Sequence, residues 1–246
     1  VLLKIKGGGT QKVLSDTFTG NANEIYKGVD KLATNSKQIN LDTNSGIVEI
    51  KLVFNQKLTD CYWMFNNLKN ILYIDLSSFD ISEVTNFRYM FYGCHSLTSI
   101  VFGKFYTSKA ANMESIFEQC KSLVELDLSM FNTNSVTNMA SMFCDCSNLT
   151  SLDLSNFITD NVEDMGFMFD GCSNLVSINL SNFQISSVTS MNKMFRNCIN
   201  LEYINLAKAN PGSSPNMENI FENVPLNLVI CVNNFDSIIN KLSTLT

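Results

Sequence analysis

The sequence predicts an α/β repeat protein, a solenoid of about seven stacked units, and two series of residues at one fixed spacing predict this fold class. Phenylalanine recurs every 26 residues, usually after methionine, at Phe65, Phe91, Phe117, Phe143, Phe169, Phe195 and Phe221. Cysteine follows the same spacing at Cys94, Cys120, Cys146, Cys172 and Cys198. A single unit of this length cannot enclose its own apolar face, so consecutive units must stack and share one core.

The first half of each unit predicts a short strand. In 149–157, which reads "LTSLDLSNF", Leu152 and Leu154 point to one side and the polar residues between them point to the other. Alternation with a period of two is typical of a half-buried strand. We therefore expect the stacked strands to form a sheet with one buried face and one open face.

The second half of each unit predicts a helix of about two turns. In 139–146 the apolar residues fall at i, i+3, i+4 and i+7, on one face of a helix: Met139, Met142, Phe143 and Cys146. Thr137 precedes this run and is the expected N-cap. Each unit is therefore expected to contain a strand, a turn, a short helix and a second turn.

Both ends of the chain depart from the repeat and are predicted to cap it. Residues 1–50 contain extended segments separated by turn residues, such as "VLLKIK" and "SKQINLD", and predict a β-rich N-terminal cap. Residues 51–224 are the predicted solenoid. Residues 225–246 are the predicted C-terminal cap, in which "LNLVICV" is a last strand and "FDSIINKL" is a helix-like tail.

Composition argues against several kinds of partner and activity. With 17 basic and 23 acidic residues and a net charge of -6, the chain lacks the basic surface that binds nucleic acid. No apolar run approaches about 18 residues, so we expect no direct insertion into a membrane. His95 is the only histidine, and the place that it takes beside Cys94 is a variable turn position in the other units. We therefore predict a protein that is not an enzyme and has no catalytic residue, metal or cofactor.

The repeated units carry a resemblance to a known family. "CSNLTSLDLSNFITDNVEDMGFMFDGC" and "CKSLVELDLSMFNTNSVTNMASMFCDC" resemble the leucine-rich repeats of the BspA type, over about residues 61–224. Proteins of this type are surface and secreted proteins of bacteria and unicellular eukaryotes. The resemblance implies a leucine-rich-repeat solenoid that is extracellular or at the cell surface, with a role in adhesion to matrix proteins, host cells or other microbes. It implies no catalytic residue and names no single ligand.

The cysteine series predicts a ladder of buried, reduced thiols. Equivalent residues of stacked units point their Cβ atoms in parallel, which disfavours a disulfide, and a column of single ligands does not make the tetrahedron that zinc prefers. Cys144 is outside the ladder, at the place that other units fill with Tyr92, Glu118, Asp170 and Arg196. We expect its side chain to face solvent, which makes it the candidate for a reactive or intermolecular thiol.

The open face of the predicted sheet is the candidate ligand-binding surface. Its outward columns are polar and acidic, and the candidate residues are Tyr73, Asp75, Glu125, Asp127, Asp153, Asn179, Tyr203 and Asn205. Like charges stacked one strand apart are unfavourable unless something compensates them. A basic or polar partner and a Ca²⁺ ion bound by Asp and Ser oxygens would each compensate, and a solvated acidic ladder that keeps the protein soluble is the third interpretation.

Two sequons for N-glycosylation occur, at Asn148 and at Asn179. Asn179 belongs to the middle column of the strand face, so a glycan on this residue would compete with a ligand for the same surface.

These observations favour a recognition or adhesion module that binds protein or glycan through the strand face. The alternative is a structural subunit of an extracellular filament or coat, which would self-associate through the ends of the stack or the helix face. An intracellular scaffold with reduced thiols is the third hypothesis.

Overall fold

The computed structural model describes residues 1–33, 35–42, 46–206 and 215–232, and within these ranges the chain forms eleven strands and no helix. The strands are β1 (Leu2–Lys6), β2 (Gly9–Lys12), β3 (Glu24–Lys27), β4 (Asp30–Lys31), β5 (Gln38–Leu41), β6 (Ile47–Val53), β7 (Ile71–Asp75), β8 (Ser99–Val101), β9 (Ser177–Asn179), β10 (Tyr203–Leu206) and β11 (Val229–Val232).

The strands form three sheets. The largest has the order β4-β3-β6-β1-β7-β8, in which β1 lies antiparallel between β6 and β7, and β7 is parallel to β8. A second sheet has the parallel order β11-β10-β9, and β2 pairs with β5 in a third. Leu3 and Ile5 alternate with more exposed neighbours along β1 and are fully buried, as a strand packed on one face requires.

The ends of the chain contain the extended segments that the sequence indicates. β1, β5 and β6 fall in the predicted N-terminal cap, and β6 continues through its predicted boundary at residue 50 to Val53. β11 lies in "LNLVICV". The helix-like tail "FDSIINKL" lies outside the described residues, so that prediction stays a prediction.

The described part of the chain contains seven turn segments, the first at 60–68 and each later one 26 residues further on, to 216–224. In the fourth, the amide of Ser141 donates to the carbonyl of Gly166 in the next unit at 2.8 Å, and that of Phe143 donates to Met168 at 2.9 Å. The amide of Met142, between them, donates back to Met139 at 3.3 Å. Alternate amides therefore bond within the segment and to the next unit.

Every turn segment also contains two residues in the left-handed region, four positions apart. Their φ values lie between 53° and 73°. The first position of each pair is Trp63, Tyr89, Ser115, Ser141, Phe167, Lys193 or Asn219, and the second is Asn67, Gly93, Gln119, Asp145, Gly171, Asn197 or Asn223. A right-handed helix has φ near −63° throughout, so these residues prevent one from forming.

The predicted fold class, an α/β leucine-rich-repeat solenoid, is therefore wrong. The segments predicted as helices are successive turns, because half of their amides donate to the next unit instead of to the carbonyl four residues back. Thr137 is not an N-cap, since its hydroxyl donates to the carbonyl of Ala111 in the preceding unit at 3.4 Å. The apolar spacing correctly indicated which side chains are buried, but it did not indicate the backbone that buries them.

The strand predicted in 149–157 is also absent. Equivalent residues of four other units form β7, β8, β9 and β10, but here the amide of Thr150 lies 3.5 Å from the carbonyl of Val124, at the limit of a hydrogen bond. The alternation nevertheless predicts burial correctly, because Leu152 and Leu154 are buried while Asp153 is exposed.

A column of parallel phenylalanine rings runs through the core. Neighbouring rings have centroids 5.5–5.9 Å apart and planes within 11° of each other, and all seven residues are buried: Phe65, Phe91, Phe117, Phe143, Phe169, Phe195 and Phe221. The cysteine series lies beside this column and is buried and free of disulfides. Each thiol donates to the carbonyl of a phenylalanine in the preceding unit, at 3.0–3.2 Å.

Candidate functional site

The aspartates of the strand face have a structural role. Asp127 Oδ1 accepts the amide of Ser129 at 3.0 Å, and Asp153 Oδ1 accepts the amide of Ser155 at 2.9 Å. Such a bond from Asp to the amide two residues on closes an Asx turn at the end of the extended segment. Hydrogen bonds with the Ser129 hydroxyl and then its amide hold the pKa of Asp127 below the usual range, and those with the Ser155 amide and then its hydroxyl do the same for Asp153. Both carboxylates are therefore ionised at neutral pH.

The asparagine that follows this turn fastens one unit to the previous one. Asn156 Nδ2 donates to the carbonyls of Leu128 and Phe131, at 3.0 and 2.8 Å. Asn182 repeats these contacts with Leu154 and Phe157, at 3.1 and 2.8 Å. The asparagine of "LSNF" therefore holds neighbouring units together, in addition to any part it plays in recognition.

The remaining strand-face candidates lie in two groups at opposite ends of the stack. Tyr73 and Asp75 are on β7, where Lys4 of β1 places its ammonium 5.2 Å from the centre of the Tyr73 ring. Asn179 is on β9 and pairs with Asn205 on β10, beside Tyr203. The central members of the surface are Glu125, Asp127 and Asp153, all of them exposed.

The thiol candidate is less exposed than the sequence indicated. Cys144 is half-buried, and burial together with the nearby Glu118 and Asp145 carboxylates raises the pKa of its thiol far above the ordinary range. A thiol with so little thiolate is a poor nucleophile. The prediction of a reactive Cys144 stays untested, but its surroundings argue against it.

The other candidates from the sequence are the Cys94 and His95 pair and the two sequon asparagines. Burial raises the pKa of Cys94 to about 12, and its thiol donates to Phe65, so it has no proton-transfer contact with His95. The His95 ring lies 3.3 Å from Gln119 Oε1. The sequon residue Asn148 is exposed, and so is Asn179, whose Oδ1 accepts the amide of Ser181 at 3.1 Å.

A surface that the sequence did not single out contains a group of four contacting aromatic side chains outside the core. We call it the aromatic groove. It is a cavity of about 500 Å³ at the junction of the N-terminal cap with the first turn segments, and its lining residues are Thr17, Tyr62, Trp63, Asn66, Asn67, Arg88, Tyr89, Tyr92 and Glu118.

Four rings form the apolar part of the groove. Tyr62 and Trp63 stack with centroids 4.4 Å apart and planes 17° apart. Tyr89 lies 6.0 Å from each of them at a steeper angle, and Tyr92 stands edge-on to Tyr89 at 5.7 Å. All four side chains are only half-buried. The rings therefore form the walls of an open trough instead of a filled core.

An ion pair fixes one wall of this groove. The Arg88 guanidinium lies over the rings of Tyr62 and Tyr89, at 5.8 and 5.3 Å, and pairs with Glu114 at 3.0 Å. The Tyr89 hydroxyl donates to Glu114 Oε1 at 2.8 Å, and Asn138 donates to Glu114 Oε2 at 3.1 Å. Burial and this bond to Glu114 raise the pKa of Tyr89. The aromatic walls are thus held in place before any ligand arrives.

The lining of the aromatic groove also contains an acidic side chain. Glu118 is half-buried, and burial raises the pKa of its carboxyl, with further contributions from Asp145 and Glu114. The sequence carried one signal for this site, since "CYWMF" and "FRYMF" place aromatic residues at equivalent positions of consecutive units.

Two general features of the described ranges bear on the chemistry. They contain no group of three or more His, Cys, Asp or Glu side chains arranged to hold a metal ion. Within the same residues, no helix is long and apolar enough to cross a membrane.

Comparison with known proteins places the chain in one family. Residues 59–173 and 145–240 match the family described as "Mycoplasma protein of unknown function, DUF285". No curated protein and no solved structure matched the chain. The two overlapping matches run from the first turn segment to beyond β11 and cover more than half of the 246 residues. The chain therefore belongs to the DUF285 family.

Proposed function

We propose that this protein is a recognition module of a surface protein of the BspA type, and that it binds a protein or glycan partner through the strand face. The observation that supports this proposal is the set of exposed carboxylates at the centre of that face. Asp127 and Asp153 are ionised, and their Asx turns hold them at equivalent places in consecutive units. A partner with basic or hydrogen-bonding groups would meet acceptors that need little reordering on binding.

The test must remove the charge without opening the turn. In the double variant Asp127→Asn/Asp153→Asn, the amide oxygen can still accept the backbone hydrogen bond that each carboxylate accepts now. We expect this variant to bind immobilised matrix proteins or arrayed glycans about tenfold more weakly than the unchanged chain. Asp160→Asn is the matched control, because Asp160 is also exposed but lies in the turn after Phe157. Unchanged binding by the double variant would refute the proposal.

A second candidate is a subunit of an extracellular assembly that self-associates at the C-terminal end of the stack. Within the described residues β11 is an edge strand of its sheet, its first residue Val229 is 58% exposed, and Leu226 just before it is 87% exposed. An edge strand with exposed apolar side chains is a template for pairing with another chain. Sedimentation analysis of Val229→Lys tests it, because loss of an oligomer would support this candidate and a monomeric unchanged chain would exclude it.

A further inference from the structure

We propose that the aromatic groove is a second binding site and that its ligand is a neutral saccharide of one or two rings. This site lies on the turn segments and the N-terminal cap, apart from the strand face, so the proposal goes beyond the recognition function above. It is argued from the exposed ring faces, the mixture of hydrogen-bonding groups and the charge of the groove.

The stacked pair supplies a flat apolar surface. Tyr62 and Trp63 are nearly parallel at 4.4 Å, and both remain half-exposed. Burying their exposed surface against the C–H groups of a sugar ring would be favourable, and rigid aromatic side chains lose little conformational entropy when they bind. A cavity of about 500 Å³ is of ordinary size for a small-molecule site, with room for one or two rings.

The polar groups of the groove include both donors and acceptors. Asn67 Nδ2 donates to Asn66 Oδ1 at 2.8 Å, so Asn66 faces a ligand as a donor and Asn67 as an acceptor. The Thr17 hydroxyl shares one hydrogen bond with Ser15 at 2.7 Å and can form a second, and the Glu118 carboxylate has acceptor positions beyond its bond with Ser115. Sugar hydroxyls are also donors and acceptors at once, so they can satisfy such a mixed set. A ligand without such hydroxyls would exclude water and leave polar side chains of the groove without hydrogen-bond partners.

This mixture argues against a proline-rich peptide, the other ligand that aromatic-lined grooves bind. Proline has no N–H group, so such a segment would offer Glu118 no donor beyond the hydrogen bond that it already has with Ser115. The Tyr89 hydroxyl, which could have donated to a peptide carbonyl, already donates to Glu114. The observations therefore favour the saccharide.

The charges of the groove argue against an anionic ligand. Glu114 neutralises Arg88, the one basic residue of the lining, at 3.0 Å. The remaining charged group is Glu118, which lies close enough to Asp145 to interact with it electrostatically. The negative potential of the groove would repel an anionic sugar, whereas it would not repel an uncharged sugar.

The fold of the turn does not require aromatic residues at two of these positions. Trp63 and Tyr89 have φ values of 58° and 55°, in the left-handed region where a bulky residue is unfavourable. Equivalent segments place Ser115, Ser141, Phe167, Lys193 and Asn219 at the same backbone position. The turn therefore forms with small polar, basic or aromatic side chains, and at the groove two rings from consecutive units lie 6.0 Å apart.

The single tryptophan makes a direct test possible. Trp63 is the only tryptophan, so the intrinsic fluorescence reports on the groove. We would titrate the full chain with galactose, glucose, N-acetylglucosamine, lactose and cellobiose, and separately with deca-proline. The expected result is a saturable change in emission with at least one sugar, with a dissociation constant on the order of 1 mM.

Variants separate binding in the groove from nonspecific effects. Tyr62→Ala removes half of the stacked pair and keeps the reporter, and we expect it to weaken sugar binding by about tenfold. Phe167→Ala is the matched control, because Phe167 is half-buried with a φ of 58° at the position equivalent to Trp63, outside the groove. If Tyr62→Ala unfolds, Asn66→Ala is the second variant and carries the same expectation. Asp127→Asn/Asp153→Asn should leave the sugar-induced change in Trp63 emission unaltered, because both residues lie outside the groove, and this readout is therefore independent of the strand face.

Three outcomes would overturn the proposal. The first is no saturable emission change with any of the five sugars up to about 50 mM, well above the expected dissociation constant. The second is sugar binding that the folded groove variant leaves unchanged. The third is saturable binding of deca-proline without binding of a sugar, which would make the groove a peptide site.

Discussion

Replacing Ser141 with glycine should stabilise the protein, and this result would distinguish the turn segment from the helix that its apolar spacing indicates. Ser141 has a φ of 56°. A non-glycine residue in the left-handed region costs about 1–2 kcal/mol, and a glycine adds about 0.5–1 kcal/mol of unfavourable entropy on folding. The difference predicts that Ser141→Gly raises the free energy of unfolding by about 0.5–1 kcal/mol.

The neighbouring residue provides a control of opposite sign. Ala140 lies in the same segment without a positive φ, so Ala140→Gly should lower the free energy of unfolding by about 0.5–1 kcal/mol. In a helix both changes would destabilise, because glycine is a poorer helix former than either serine or alanine.

The assay is urea unfolding of the unchanged chain and both variants, followed by Trp63 fluorescence and by far-ultraviolet circular dichroism. Coincident transitions from the two probes would justify a two-state free energy. If Ser141→Gly destabilises the protein as much as Ala140→Gly does, the left-handed turn is not present in solution and the reasoning is refuted.

Three further changes test the core, the unit contacts and the acidic turns. Phe143→Ala should lower the free energy of unfolding by about 3–5 kcal/mol in urea titrations, because it opens a cavity between two stacked rings; a loss below about 1 kcal/mol would contradict the ring column. Thr133→Val should cost about 1–2 kcal/mol in the same assay, since the buried hydroxyl both donates to and accepts from the Ile158 backbone at 2.8 Å, and no loss would contradict this. The lowered pKa values of Asp127 and Asp153 stabilise the fold above about pH 4, and this stability should be lost as the pH falls through the folded values. Urea midpoints at pH 6 and pH 3 should therefore differ less in Asp127→Asn/Asp153→Asn than in the unchanged chain, and an equal difference would remove the Asx turns as the cause.

The sequence was a good guide to burial and a poor one to the backbone. Met139, Met142, Phe143 and Cys146 are buried, as an apolar helical face predicts. Successive turns place side chains on the same side at the same spacing, so the pattern cannot separate the two structures. The glycines at Gly93 and Gly171, both with positive φ, were the local signal for turns. Ser141 at the other left-handed position carries no such signal.

For the candidate site, too, the sequence indicated which residues are exposed but not which contacts they make. Alternation in 149–157 correctly identified the exposed residues, but it could not reveal that Asp153 accepts a backbone amide. The aromatic groove was missed because it depends on contacts between neighbouring units and the cap. Tyr62 and Tyr89 belong to different units, and Thr17 reaches the groove from the N-terminal cap. Nothing in the spacing of one unit indicates that these residues meet.

The heptad "SLDLSNF" at 151–157 and the aromatic groove differ in how far their side chains can change without loss of the fold. In "SLDLSNF" the leucines and Phe157 fill the core, Asp153 closes a turn and Asn156 bonds to the preceding unit, so most of its side chains are needed for folding. The positions of Tyr62 and Trp63 are less constrained than those of the heptad, because the equivalent positions of later units include small or charged residues on an otherwise similar turn. A ligand site can arise there without loss of the contacts between units. In the aromatic groove these variable positions lie beside the N-terminal cap, which contributes Thr17 to the lining. The only tryptophan of the sequence, Trp63, is in this groove.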